Sequence, residues 1–135
     1  MTVFRTPKIL MLSSNNREAS DLQALLSAHA EITQIRDTAS LCALLENSSF
    51  DVALCSWAID DDLWDLVLSK ISSVQPELPV IVFSSNGGVR EWAQVLEAGA
   101  FDLLVSPFQQ SVLLSALEQA TASHEARLMR LAAVS

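Results

Sequence analysis

Five short aliphatic runs, each followed by a stretch with helical spacing, constrain this chain more than any other feature. The runs are Lys8–Leu12 (KILML), 32–36 (ITQIR), 51–55 (DVALC), 79–83 (PVIVF) and 101–105 (FDLLV). A continuous apolar run of about five residues suits a strand buried on both faces, and the second run alternates like an edge strand. Residues 17–29 carry Ala19, Leu22, Leu25 and Leu26 at helical spacing. Leu41, Leu44 and Leu45 mark a second helix, which Thr38 or Ser40 can cap. A third helix spans 62–74 and is closed by Pro76 and Pro79. Gly87 and Gly88 open a fourth that stops at Gly99, and a last long helix starts near Gln110.

Five strands alternating with five helices imply parallel pairing with helices on both faces. The expected fold is α/β: a flavodoxin-like three-layer sandwich with strand order 2-1-3-4-5. Right-handed crossovers then put the ligand crevice at the carboxyl ends of the first, third and fourth strands. The residues there are Ser13-Ser14-Asn15, Ser56 and Ser84-Ser85, with Ser106 after the fifth strand. Four segments bring hydroxyls to one place, which is right for a site but chemically mild.

The chain has 135 residues, half of them apolar and only three of them glycine, which fits one globular domain. Sixteen acids against eight bases give a net charge of −8, a balance that repels phosphate backbones and disfavours direct nucleic-acid binding. The apolar runs are too short to cross a bilayer, and no apolar h-region of the kind a signal peptide carries follows Arg5 and Lys8. A cytoplasmic location is expected. Cys42 and Cys55 show no metal or disulfide spacing and are expected to be packed free thiols.

The segments KILMLSS, DVALCS, LPVIVFSS and EAGAFDLLVSPF resemble the receiver domain of bacterial response regulators, the CheY-like family, over residues 8 to about 122. The most specific piece is Ala98 to Phe108, which follows the pattern AGAxDYLxKPF. The resemblance implies a fold built for aspartyl phosphorylation. In it, two acids after the first strand hold Mg²⁺ and an aspartate ending the third accepts the phosphoryl group. A hydroxyl and a lysine then bind it, and an aromatic residue in the fifth strand switches. On this chain the acid pair falls on Ser13 and Ser14, the acceptor on Ser56, the lysine on Ser106 and the aromatic on Leu103. Only the strand-4 hydroxyl is kept, as Ser84. The resemblance also implies a cis Ser106–Pro107 bond.

An acyl phosphate requires a carboxylate and a cation held by hard oxygens, and neutral serines supply neither. A serine nucleophile would need a histidine oriented by an acid. His29 and His124 lie in helices without a route to the strand ends. Asp60, Asp61 and Asp62 have two readings: Asp61 or Asp62 caps the third helix, which is the expectation, or the trio retains a cation. Trp57 and Trp64 flank this loop and can fill the volume of the lost site, while core packing is the competing reading for each tryptophan.

The expectation is therefore a degenerate pseudo-receiver, not an enzyme, with no cofactor and no metal. It would occupy residues 1–122, with 123–135 extending the last helix toward an effector domain or a coiled coil. It would act through a protein partner or a second copy, on the face of the fourth helix, fifth strand and fifth helix, in a regulator of transcription. Candidate interface residues are Trp92, Leu96, Leu114, Leu117, Leu128 and Leu131. Leu114, Leu117, Thr121, His124, Leu128 and Leu131 follow a heptad-like seam. The alternatives are a receiver still phosphorylated or binding metal through the loop at 60–62, or a pocket that takes a small ligand.

Overall fold

The computed structural model describes residues 6–13, 16–36, 38–59, 62–84, 89–105 and 108–134, excepting the side chains at 16, 58–59, 62–65, 89–92 and 131–134. Its elements are β1 (Lys8–Leu12), α1 (Asn16–Leu26), β2 (Glu31–Ile35), α2 (Leu41–Asn47), β3 (Val52–Ser56), β4 (Ala58–Ile59), β5 (Asp62–Leu63), α3 (Trp64–Val74), β6 (Val80–Ser84), α4 (Val89–Glu97), β7 (Asp102–Val105) and α5 (Gln110–Val134). Five strands form one parallel sheet in the order β2-β1-β3-β6-β7. With the small β4–β5 hairpin set aside, that is the expected order 2-1-3-4-5.

Strand alternation divides the core into two layers. Leu10, Leu12, Ala53, Cys55, Val80, Val82 and Leu103 face the side of α2, α3 and α4, against Leu41, Leu45, Val67, Ile71 and Val95. Ile9, Met11, Val52, Leu54, Ile81, Phe83 and Leu104 face α1 and α5, against Leu22, Leu26, Leu113, Leu117 and Ala120. All residues of β3 and β6 are buried, as central strands covered on both faces must be. Each fully buried aliphatic side chain contributes about 2 kcal/mol of transfer free energy. β2 is half-exposed because it has a neighbour on one side only.

Three sequence expectations change. The third helix starts later than expected: Asp62 lies in β5, opposite Ile59 of β4, and α3 begins at Trp64. Backbone pairing in the hairpin fixes Asp62 in an extended conformation, while Asp60 and Asp61 lie outside the described residues. Cys42 is exposed, because the buried face of α2 is set by Leu41 and Leu45, one turn apart, and Cys42 is rotated about 100° away from Leu41. The third strand runs one residue further than its apolar run, since Ser56 still pairs with Phe83 and the Trp57 N–H donates to the Phe83 carbonyl at 2.8 Å.

Gly99 ends α4 with φ of +103°, as a residue past a helix end often does. Nothing lies within 4 Å of where its Cβ would be, so Gly99→Ala meets no clash and its cost is backbone strain alone. The expected loss is about 1 kcal/mol, read as a lower urea midpoint with unchanged slope.

The last helix is continuous from Gln110 to Val134. Much of the heptad-like seam belongs to this molecule's own interior. Leu117 is buried, Leu114 packs on the α1–α5 side of the core, and His124 is only 6% exposed. Beyond the sheet, Arg127 Nη1 still donates to the Glu77 carbonyl at 3.3 Å. Leu128 and Met129 are exposed at this end, Met129 at 73%. Among the described residues no helix is long and apolar enough to cross a membrane.

Candidate functional site

The crevice forms where β1, β3 and β6 end side by side. Leu12 is in register with Cys55, so Ser13 follows level with Ser56; Ser56 is in register with Phe83, so Ser84 follows one residue beyond. Ser13, Ser56 and Ser84 are all buried. Ser13 continues the ladder to β2, its N–H donating to the Ile35 carbonyl at 3.1 Å. Gln34 Nε2 points at the Ser13 carbonyl at 3.5 Å, and Gln23 of α1 donates to Gln34 Oε1 at 2.8 Å. Hydrogen-bonding groups of β1, β2 and α1 thus meet beside the strand ends.

Ser56 is 6% exposed, and its hydroxyl donates to Glu18 Oε1 at 3.1 Å. This contact was not foreseen from the sequence. Glu18 lies in the first turn of α1, where a carboxylate is favoured by the positive end of the helix dipole. Its spacing from the β1 terminus carried the available signal: a helix beginning at Asn16 brings its first-turn acid back over the strand ends.

Cys55, next to Ser56, points into the opposite layer and its Sγ contacts the Ser56 carbonyl at 3.3 Å. Burial pushes its thiol up to about 12, so it stays protonated and unreactive at neutral pH. Leu103 is buried in the core near Val95, as a filler with no hydroxyl or ring to reorient. Trp57 is half-buried and packs on the same layer. Ser14, Ser85, Ser106 and the Ser106–Pro107 bond lie outside the described residues, as do the side chains of Trp64, Trp92 and Leu131. Leu96 is half-buried.

Neither histidine approaches the crevice. His29 is exposed in the turn after α1. His124 faces the other end of the sheet, where its Nδ1 lies 3.7 Å from Asp51 Oδ1. Among the described residues no three His, Cys, Asp or Glu side chains converge on a cation position. The neutral oxygens of Ser13 and Ser56 do not fit the Mg²⁺ that the fold family uses, since that ion is held through carboxylates.

A shallow groove of about 270 Å³ opens between β7 and the first turns of α5. Leu103 and Leu104 line it with Phe108 and Leu113, and the exposed Val105 and Val112 lie at its edge. Phe108 in turn meets Phe83 edge to face, with ring centroids 6.2 Å apart.

The response regulator receiver domain family matches residues 16–118. Among curated proteins, the transcriptional regulatory protein ZraR of Salmonella typhimurium is 26% identical over 125 residues, covering 84% of this chain and 26% of that protein. The chain therefore spans about a quarter of the length of the curated relatives it matches. Among solved structures, the signal receiver domain of an HD domain-containing protein from Pseudomonas fluorescens Pf-5 superposes with a TM-score of 0.84 at 24% identity, covering 96% of this chain and 97% of that one. The beryllofluoride-activated NtrC4 receiver domain dimer gives 0.79 at 19% identity, covering 87% and 98%. At these identities the structures speak for the fold alone. With strand order, crevice and family match in agreement, this chain belongs to the response regulator receiver domain family.

Proposed function

We propose that this receiver domain works without phosphorylation, as a non-enzymatic regulatory module that acts through protein contacts. The observation that carries the proposal is the hydrogen bond from the buried Ser56 hydroxyl to Glu18, at the position where the family's acceptor aspartate stands. A serine hydroxyl cannot form the acyl phosphate that an aspartate forms, the Glu18 carboxylate beside it repels an anionic phosphoryl donor, and Ser13 offers no charge to a metal. The relationship to ZraR supports a role in transcriptional regulation, with an output domain in the same protein. The contact surface is the face of α4, β7 and α5, where Val105 and Val112 are exposed beside the groove, continued by Leu128. The NtrC4 receiver, a dimer when activated, supports self-association as the form of contact.

The test is a titration of Mg²⁺ with beryllofluoride, a phosphoryl mimic, followed through Trp57 fluorescence beside the crevice. A flat response is expected. A saturable, Mg²⁺-dependent change would sink the proposal and favour the runner-up reading, in which the loop at 60–62 holds a cation. Sedimentation of the wild type against Val112→Glu and Leu128→Glu tests the contact face. Each variant is expected to weaken self-association about tenfold, equivalent to roughly 1.4 kcal/mol. Unchanged association in both would remove this face from the reading.

A further inference from the structure

We propose that the crevice is a carboxylate-receiving site occupied from within by Glu18, so that α1 itself supplies the anion that a phosphorylated relative acquires by chemistry. The inference rests on the reading that Ser56 is not a phosphoryl acceptor, and it adds what the site holds instead. Ser13 and Ser56 stand level at the ends of β1 and β3, on the layer that faces α1. Ser56 is nine-tenths buried and aims its proton at Glu18 Oε1, 3.1 Å away. Glu18 is half-buried in the first turn of an eleven-residue helix, where the helix dipole favours negative charge.

A glutamate in a first turn can satisfy that dipole equally well from solvent. Reaching inward over the strand ends costs side-chain freedom and hydration, so the hydroxyl contact must offset both. The consequence is a cross-tie between α1 and β3 whose closing element is a permanent carboxylate. The crevice is then closed by an internal ligand, and the domain holds one arrangement irrespective of any phosphoryl donor.

A double-mutant cycle with chemical rescue tests this. Glu18→Ala and Ser56→Ala are each expected to lower Tm by about 3–8 °C, the range for losing a hydrogen bond to a charged group in a domain of this size. The double variant should fall no further than the worse single variant, because both remove one contact. Sodium formate, compared with sodium chloride at equal ionic strength, should restore part of the Tm lost in Glu18→Ala and none in the double variant. A purely structural role for the glutamate stem would show no formate effect. Should Glu18→Ala fail to fold, Glu18→Gln keeps an acceptor oxygen without the charge; its smaller loss must likewise vanish in the Ser56→Ala background.

Additive losses, or no formate-specific gain in Glu18→Ala, would overturn the inference. These outcomes are separable from failure of the underlying reading. A wild-type response to Mg²⁺ and beryllofluoride defeats the phosphorylation-independent function, whatever the cycle gives. An additive cycle defeats the internal carboxylate alone.

Discussion

Ser56→Asp, which places a carboxylate at the end of the third strand, is expected to lower stability by about 1–3 kcal/mol at neutral pH without creating a phosphorylation site. The substitution removes the O–H that donates to Glu18 and sets a second carboxylate a few ångströms from the first. Two unit charges about 4 Å apart at an effective dielectric near 20 repel by roughly 4 kcal/mol. Glu18 is half-buried and can swing toward solvent, which relieves part of that and leaves the smaller figure. The repulsion raises the proton affinity of the two acids in the folded variant above that in its unfolded chain. The folded state then binds more protons than the unfolded one, so the variant's deficit shrinks as pH falls and grows as pH rises. Urea midpoints at pH 7 and pH 4.5, against wild type at each pH, check the sign. Adding Glu18→Gln should recover most of the loss. Intact-mass measurement after incubation with Mg²⁺ and a small acyl phosphate donor should show no phosphorylated species, because Ser13 still supplies no carboxylate to the metal. A variant as stable as wild type and readily phosphorylated would show that Ser56 alone separates this chain from a phosphorylated receiver.

How much of this could be read from the sequence depends on the range of the interaction. The sheet was legible because central strands buried on both faces must be continuous aliphatic runs, and KILML and PVIVF are unbroken. The positions of Ser13, Ser56 and Ser84 followed from strand order, since parallel crossovers bring those carboxyl ends together. Glu18 was missed because its role depends on where α1 starts relative to the end of β1, and helix starts are poorly marked when no capping side chain stands out. The β4–β5 hairpin was missed for a different reason. The sequence after Trp57 offers no glycine or asparagine turn signal, and three consecutive acids read more naturally as the start of a helix. The heptad-like seam shows the opposite failure. Its spacing is real, but periodicity cannot tell a helix's own core from a partner's, and Leu117 and His124 face inward.

The other large effect is expected at Asp51, at the far end of the same strand. Asp51 is 3% exposed, and its carboxylate faces both β1 and α5. Its Oδ2 accepts the Lys8 N–H of β1 at 2.8 Å, its own N–H donates to the Lys8 carbonyl at 2.8 Å, and its Oδ1 faces His124 Nδ1 of α5 at 3.7 Å. The last distance is too long for a hydrogen bond, and among the described residues the buried His124 Nδ1 has no hydrogen-bond partner. Asp51→Ala therefore removes a close acceptor from a backbone N–H and a carboxylate 3.7 Å from a buried imidazole. Leaving a buried N–H unsatisfied costs about 1–3 kcal/mol, so a loss of about 2 kcal/mol is expected. Asp51→Asn keeps an acceptor oxygen for Lys8 and should lose about 1 kcal/mol. If the carboxylate also holds α5 to the base of the sheet, hydrogen exchange in Asp51→Ala should rise most for amides of residues 121–130, beyond the Leu117 packing. His124→Ala in the same background should then add less than it does in wild type, because the two residues face each other. Equal and additive losses, with exchange unchanged in that segment, would mean that the Asp51 carboxylate does not hold α5.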